Sequence, residues 1–254
     1  MGTLTEKTAL VTGASRGIGR AIAERLGAEG ALVGVHYGTN DAAAKDVVAT
    51  VEAAGGQAFP IRVRFGTSGD VDDLDHAVEA ALGDRWLDIL VNNAGILDPT
   101  PFGHVSPEAF DASLAVNVRA PFLVTQRLLP RLGDGGRVVF LSSAATRIAS
   151  PFTHYAMGKA ALETLARTLA NPLGARGITV NAVAPGVVDT DMGAWLDSGP
   201  GVREAVTSTV ALGRIAGPAD VADVVAFLVS DEGRWVTGQT IEASGGQWLG
   251  PLVG

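Results

Sequence analysis

Short apolar runs rich in β-branched residues alternate with longer amphipathic stretches along almost the whole chain. Residues 8–11, 31–37, 58–63, 87–91, 137–141, 179–184 and 239–242 read as strands. Between them, apolar positions recur at helical spacing over 18–29, 41–54, 71–82, 107–132, 155–175 and 218–230. Strands that are apolar at nearly every position are covered on both faces, as in parallel sheets. The predicted fold is α/β: a doubly wound, seven-stranded parallel sheet with helices on both faces, joined by right-handed crossovers. No linker, charge block or repeat divides the chain, so residues 1–254 read as a single domain. The stretch 185–201 has no clear period and is rich in Gly, Asp and Pro, which predicts a substrate lid near 185–210.

Composition narrows the function classes. Hydrophobic residues are 47% and charged residues 18% of 254, which suits a packed core. A net charge of −8 argues against nucleic-acid partners, because phosphate contacts need clustered Lys and Arg. With no cysteine, disulfides, thiolate catalysis and Cys-based zinc sites are excluded together. No apolar run reaches the ~18 residues needed to cross a bilayer, and residues 1–7 do not resemble a signal segment. The expectation is a cytoplasmic protein without nucleic-acid or membrane partners. Asp70, Asp72, Asp73 and Asp75 open a predicted helix, where carboxylates complement the dipole; a solvated helix start, not a metal site, is expected.

The first strand runs into Thr12-Gly13-Ala14-Ser15-Arg16-Gly17-Ile18-Gly19, and a helix follows at once. Such a turn lets a pyrophosphate approach the free N–H groups of a helix start. Its spacing is G-x-x-x-G-x-G rather than the commoner G-x-G-x-x-G. The second strand ends in Val35-His36-Tyr37-Gly38-Thr39-Asn40, with no carboxylate before Asp41 to meet ribose hydroxyls. Arg16 meanwhile sits inside the turn. A 2′-phosphate needs a cation and no adjacent carboxylate, so NADP(H) is favoured over NAD(H), with Tyr37 and Asn40 beside the adenosine ribose.

The chain has two tyrosines and three lysines (Lys7, Lys45 and Lys159), yet Tyr155 and Lys159 stand four apart. On a helix both occupy one face. An ammonium beside a phenol favours the phenolate, so the pair predicts a lowered Tyr155 pKa and an acid/base near neutral pH.

Three further motifs occur in order: Asn92-Asn93-Ala94-Gly95, Asn117 within Leu114-Ala115-Val116-Asn117-Val118, and Pro185-Gly186-Val187-Val188-Asp189-Thr190. With the glycine turn, Ser142-Ser143 and Tyr155/Lys159, the chain resembles the short-chain dehydrogenase/reductase family from Lys7 to Gln247. Within it, the likeness is to ketoreductases of the 3-oxoacyl-acyl-carrier-protein reductase kind. The resemblance implies a Rossmann-type fold and an enzyme interconverting a carbonyl and an alcohol. Tyr155 would be the acid/base and Lys159 would bind the nicotinamide ribose. Asn117 would sit at a helix distortion and hold a relay water. Asn93, Ala94 and Gly95 would line the adenosine ribose, while Val188 and Thr190, following Pro185 and Gly186, would meet the carboxamide. It also implies a homotetramer or homodimer paired through 107–132 and 155–175.

Three departures stand out. Ser143 precedes Tyr155 by twelve residues where relatives have thirteen; Ser143 is the expected carbonyl ligand, with Ser142 the fallback. Arg64 and Phe65 occupy the place of an adenine-binding aspartate, leaving only the Phe65 backbone for that contact. Ala243-Ser244-Gly245-Gly246 lacks the usual Asp before the glycine pair. His154 reads as pocket wall or exposed helix start, and Trp195 as lid. Rival readings are a catalytically silent NADP(H)-sensing binding protein, an NAD-dependent secondary-alcohol dehydrogenase, and a sugar-nucleotide epimerase or dehydratase.

Overall fold

Among the described residues, seven strands all pair in parallel, in the order β3-β2-β1-β4-β5-β6-β7. This computed structural model describes residues 3–250; residues 1–2 and 251–254, part of the predicted domain span and of the N-terminal segment, lie outside the described residues. The strands are β1 (Thr8–Val11), β2 (Leu32–Tyr37), β3 (Gln57–Arg62), β4 (Leu87–Asn92), β5 (Leu132–Leu141), β6 (Thr179–Pro185) and β7 (Thr240–Ala243). The helices are α1 (Gly17–Ala28), α2 (Asp41–Ala53), α3 (Asp70–Leu82), α4 (Pro107–Leu114), α5 (Ala120–Leu128), α6 (Thr153–Gly174), α7 (Val202–Thr207) and α8 (Pro218–Val229).

Strand side chains alternate between two apolar layers. Val11, Val35, Val91, Val139 and Val183 pack with Ile22 and Leu26 of α1 and Val221 and Val225 of α8. Leu10, Leu90, Val138, Phe140 and Ala182 pack on the other face with Leu74 of α3, Val124 of α5 and Leu162 of α6. Period-2 alternation with both faces buried explains why the inner strands are apolar at most positions, while the edge strand β3 carries exposed Gln57 and Arg62. Because every strand runs the same way, the ends of β1, β4, β5 and β6 open on one edge. Strand order reverses between β1 and β4, the crevice where such sheets bind ligands.

The helix predicted over 107–132 is interrupted. After α4, Ala115–Arg119 forms a π-turn in which the Ala120 N–H donates to Ala115 O, five residues back. Pro121 follows and has no N–H to continue the ordinary ladder. A 3-10 turn, Leu129–Arg131, then leads into β5, which starts at Leu132 rather than 137. The register slips between Leu87/Leu132 and Ile89/Arg137, which absorbs the extra residues. Likewise, the aperiodic stretch after β6 is partly helical, as a 3-10 segment Asp191–Asp197 and then α7.

Leu26 is fully buried where α1 packs on the sheet, whereas Trp235 is 93% exposed. Leu26→Ala is expected to cost about 3 kcal/mol in urea unfolding, and Trp235→Ala to stay within about 0.5 kcal/mol.

Candidate active site

Thr12 joins the ends of β1 and β4. Its Oγ1 accepts from Asn93 N (2.9 Å) and Ala94 N (3.0 Å), while Asn93 Nδ2 donates to Thr12 O (2.8 Å) and Gly13 O (3.1 Å). The turn and the Asn93-Ala94-Gly95 segment are therefore one unit. Gly13 has φ +65°, and a Cβ there would lie 2.9 Å from Ala94 Cα, so only glycine fits. A Cβ on Gly19 would lie 2.4 Å from Gly13 O, so α1 abuts the turn directly. Ser15 and Ile18 are half-buried in this unit. No side chain caps α1, which leaves first-turn N–H groups for an anion.

His36 holds the turn from below, a role the sequence reading missed. Its Nδ1 accepts from Gly13 N (3.0 Å) and its Nε2 donates to Val63 O (3.0 Å). The main-chain donor on one side and acceptor on the other select the neutral Nε2–H tautomer. Burial pushes its pKa down to about 4, with the Val63 hydrogen bond opposing. Phe65 stacks on this ring, centroids 4.4 Å apart. Thus the departure at Arg64-Phe65 has a packing role on the ligand-facing edge.

At the end of β2, Tyr37 is buried and hydrogen-bonded to Asp41; burial, then that contact, raise its pKa. Asn40 caps α2, its Oδ1 accepting from Ala43 N (3.0 Å). Gly38 has open space beside it. Arg16 and Asp191 form an exposed ion pair at 3.4 Å that bridges the turn to the segment after β6. Such a pair is worth at most about 1 kcal/mol, so a dianionic ligand could displace it.

Tyr155 and Lys159 lie buried on α6 against the end of β5. The expected sign of the Tyr155 shift is corrected here. Burial pushes its pKa up to about 12, with a Ser143 hydrogen bond pulling the other way. Burial also brings Lys159 down to about 8. The ammonium donates to Leu141 O (2.7 Å) and stands 5.6 Å from the Tyr155 ring centre. Withdrawal from water outweighs the neighbour's charge, which spacing alone does not reveal.

The serine alternatives separate. Ser142 Oγ is turned to α6, within reach of Lys159 O (3.1 Å) and Glu163 Oε1 (2.7 Å). Ser143 is the serine that faces Tyr155, near enough to pull its pKa down. Asn117, fully buried in the π-turn, accepts from Ile96 N (3.0 Å) and donates to Ile96 O (2.9 Å). Its Oδ1 and Lys159 Nζ both flank Gly95, where a Cβ would lie 2.9 and 3.1 Å from them. After β6, Val187 N donates to Gln247 Oε1 (2.8 Å), which secures the Pro185-Gly186 segment. Val188 is buried, and Thr190 packs beside Gly17. Ser244 stands before the glycine pair as a turn cap, its Oγ accepting from Gln247 N (3.2 Å).

Two further readings are corrected. Asp70 and Asp75 are buried: Asp70 accepts from Gly66 N and pairs with Arg119, and Asp75 pairs with Arg127 and Arg131. Only Asp72 and Asp73 remain solvated. His154 is 3% exposed rather than an exposed helix start, with Nε2 4.0 Å from Asp98 Oδ2. Among the described residues no cluster suits a metal ion, and no helix is long and apolar enough to cross a membrane.

Residues 13–247 match the family model described as Enoyl-(Acyl carrier protein) reductase. A crystal structure of the angucycline C-6 ketoreductase LanV with bound NADP is 51% identical, with TM-score 0.93 over 98% of each chain. The promiscuous reductase LugOII, named for keto-reduction during lugdunomycin biosynthesis, is 48% identical, with TM-score 0.93 over 98% of this chain and 100% of its own. Versicolorin reductase from Emericella nidulans is 39% identical over 259 residues, 96% of each chain.

Between about pH 6.5 and pH 4 the unfolded chain binds a proton at His36 that the folded chain excludes. Stability therefore falls as pH drops through that window, by up to about 3 kcal/mol from this group. His36→Asn is expected to be less stable at pH 7 but to show a flatter decline from pH 6.5 to 4, read from urea midpoints.

Proposed function

The chain belongs to the short-chain dehydrogenase/reductase family and is an oxidoreductase, and from that premise we propose that it is an NADP(H)-dependent ketoreductase acting on a fused-ring aromatic ketone. The observation that carries this reading is a buried Tyr155, facing Ser143 and next to Lys159, at the same sheet edge as the glycine turn. NADPH, when bound, supplies the hydride.

The chain's residues fit that cofactor. Gly13, Ser15, Gly17, Ile18 and Gly19 form a close-packed turn before an uncapped helix, suited to a pyrophosphate. Arg16 is the exposed cation for a 2′-phosphate, with Tyr37, Gly38 and Asn40 at the neighbouring strand end presenting no carboxylate. Phe65 borders the adenine side, and Asn93, Ala94 and Gly95 the ribose. Lys159 would hold the nicotinamide ribose, and Pro185, Gly186, Val188 and Thr190 the carboxamide.

The proton chemistry follows from burial. With its pKa held near 12, Tyr155 keeps its proton at neutral pH and is ready to give it to an alkoxide oxygen. Ser143 donates to the same oxygen as charge develops there. Lys159, largely cationic at pH 7, stabilises the phenolate left behind. Asn117, through Ile96 and Gly95, keeps the space around Lys159 open for a relay water. Phe102 on the β4–α4 loop and Met192 and Trp195 after β6 expose apolar surface on this edge, consistent with a fused-ring substrate like that named for LanV. Segment 185–210 would act as the lid, stiffened where Arg203 forks between Asp189 and Asp197. The reading extends to a cytoplasmic homotetramer or homodimer, for which the exposed Phe122 and Met157 on α5 and α6 offer an apolar contact.

NADPH consumption against a panel of fused-ring ketones tests the proposal; no turnover of any of them would sink it. Tyr155→Phe is expected to lower kcat by about 10²- to 10⁴-fold while leaving NADPH affinity unchanged. Arg16→Ala is expected to weaken NADPH binding about tenfold and leave NADH binding alone, measured by fluorescence titration.

A further inference from the structure

We propose that Glu163 is a positioning residue for Ser143, holding the serine turn at the distance from α6 that the Tyr155–Ser143 contact requires. The proposal rests on the ketoreductase reading above and adds to it a residue that no motif marks.

Tyr155, Lys159 and Glu163 are spaced four apart, so they form one stripe along α6. The stripe faces the turn that leaves β5. Glu163 Oε1 accepts from Ser142 Oγ (2.7 Å) and from Thr146 Oγ1 (2.8 Å), the residues on either side of Ser143–Ala145. Each hydroxyl also has a main-chain acceptor in reach: Lys159 O for Ser142 (3.1 Å) and Ser143 O for Thr146 (2.9 Å). A hydroxyl has one proton to give, and a carboxylate is the stronger acceptor, so Glu163 draws both protons to itself.

The consequence falls on Ser143. Its own Oγ accepts from Ala145 N (3.2 Å) and its carbonyl from Thr146 N (3.1 Å), so the Ser143 hydroxyl is aimed by the 3-10 turn Ala144–Arg147. Glu163 is the α6 side chain whose hydrogen bonds reach both ends of that turn. Without it, the turn keeps its internal bonds but loses its fixed height over α6. On its other side Glu163 borders an open groove with Arg147 and Arg167. A smaller residue there admits water rather than leaving a sealed void.

The test is a double-mutant cycle on the full chain, using the ketone of the panel that the wild type reduces fastest. Single-turnover NADPH oxidation, NADPH affinity and melting temperature are measured for wild type, Glu163→Ala, Ser143→Ala and the double variant. Glu163→Ala is expected to slow turnover about tenfold, roughly one charged hydrogen bond, with NADPH affinity unchanged. Glu163→Gln, whose amide oxygen still accepts, should stay within about threefold of wild type. On the Ser143→Ala background, removing Glu163 should cost nothing further. A full additional loss on that background, or a Glu163→Ala rate within about twofold of wild type, overturns the proposal. If Ser143→Ala alone runs at the wild-type rate, the role given to Ser143 falls, and this inference with it. Should Glu163→Ala not fold, Glu163→Asp serves the same cycle, since it keeps the charge and withdraws the carboxylate by one methylene.

Discussion

Tyr155 and Lys159 are both withdrawn from water, and much of the architecture around them serves or compensates that one constraint. Burial disfavours phenolate and ammonium alike, moving their pKa values to about 12 and about 8, towards the neutral form in each case. The ammonium is partly compensated by Leu141 O at the end of β5. The phenol is met by Ser143 from the turn that follows. So the two groups are held through the end of one strand, and α6 cannot shift on the sheet without disturbing both. The resting state is a protonated phenol with a cation nearby.

The same economy appears on the cofactor side. Thr12, Asn93 and His36 bind the ends of β1, β4 and β2 to the glycine turn through main-chain atoms. These side chains sit beneath the turn and fix the backbone that forms it. Asn117 does the equivalent on the opposite wall. It forms a reciprocal pair with the Ile96 main chain from inside a π-turn, where the wider coil and Pro121 make room. Buried polar groups satisfied in this way specify one arrangement, because each alternative would strand a donor or acceptor.

The inner strands were legible because burial on both sheet faces makes them apolar at most positions, a signal local to five or six residues. The glycine turn was legible because Gly13 and Gly19 answer a steric demand no other residue meets. The break at Ala115–Arg119 was not readable from periodicity, since the apolar spacing carries straight through it; only the resemblance pointed there. Asp70 and Asp75 looked like surface residues because their partners, Arg119, Arg127 and Arg131, stand far away in sequence.

By itself, the sequence determined the sheet and its two helical layers, since hydrophobic period and glycine placement are properties of neighbouring residues. Tertiary structure alone decided which serine meets Tyr155, which tautomer His36 adopts and which way the tyrosine and lysine are shifted. Those outcomes depend on distances between segments far apart in the chain and on how much water the fold excludes. Four-residue spacing says that a lysine is near a tyrosine; only the packed protein says that losing hydration matters more to both than their proximity.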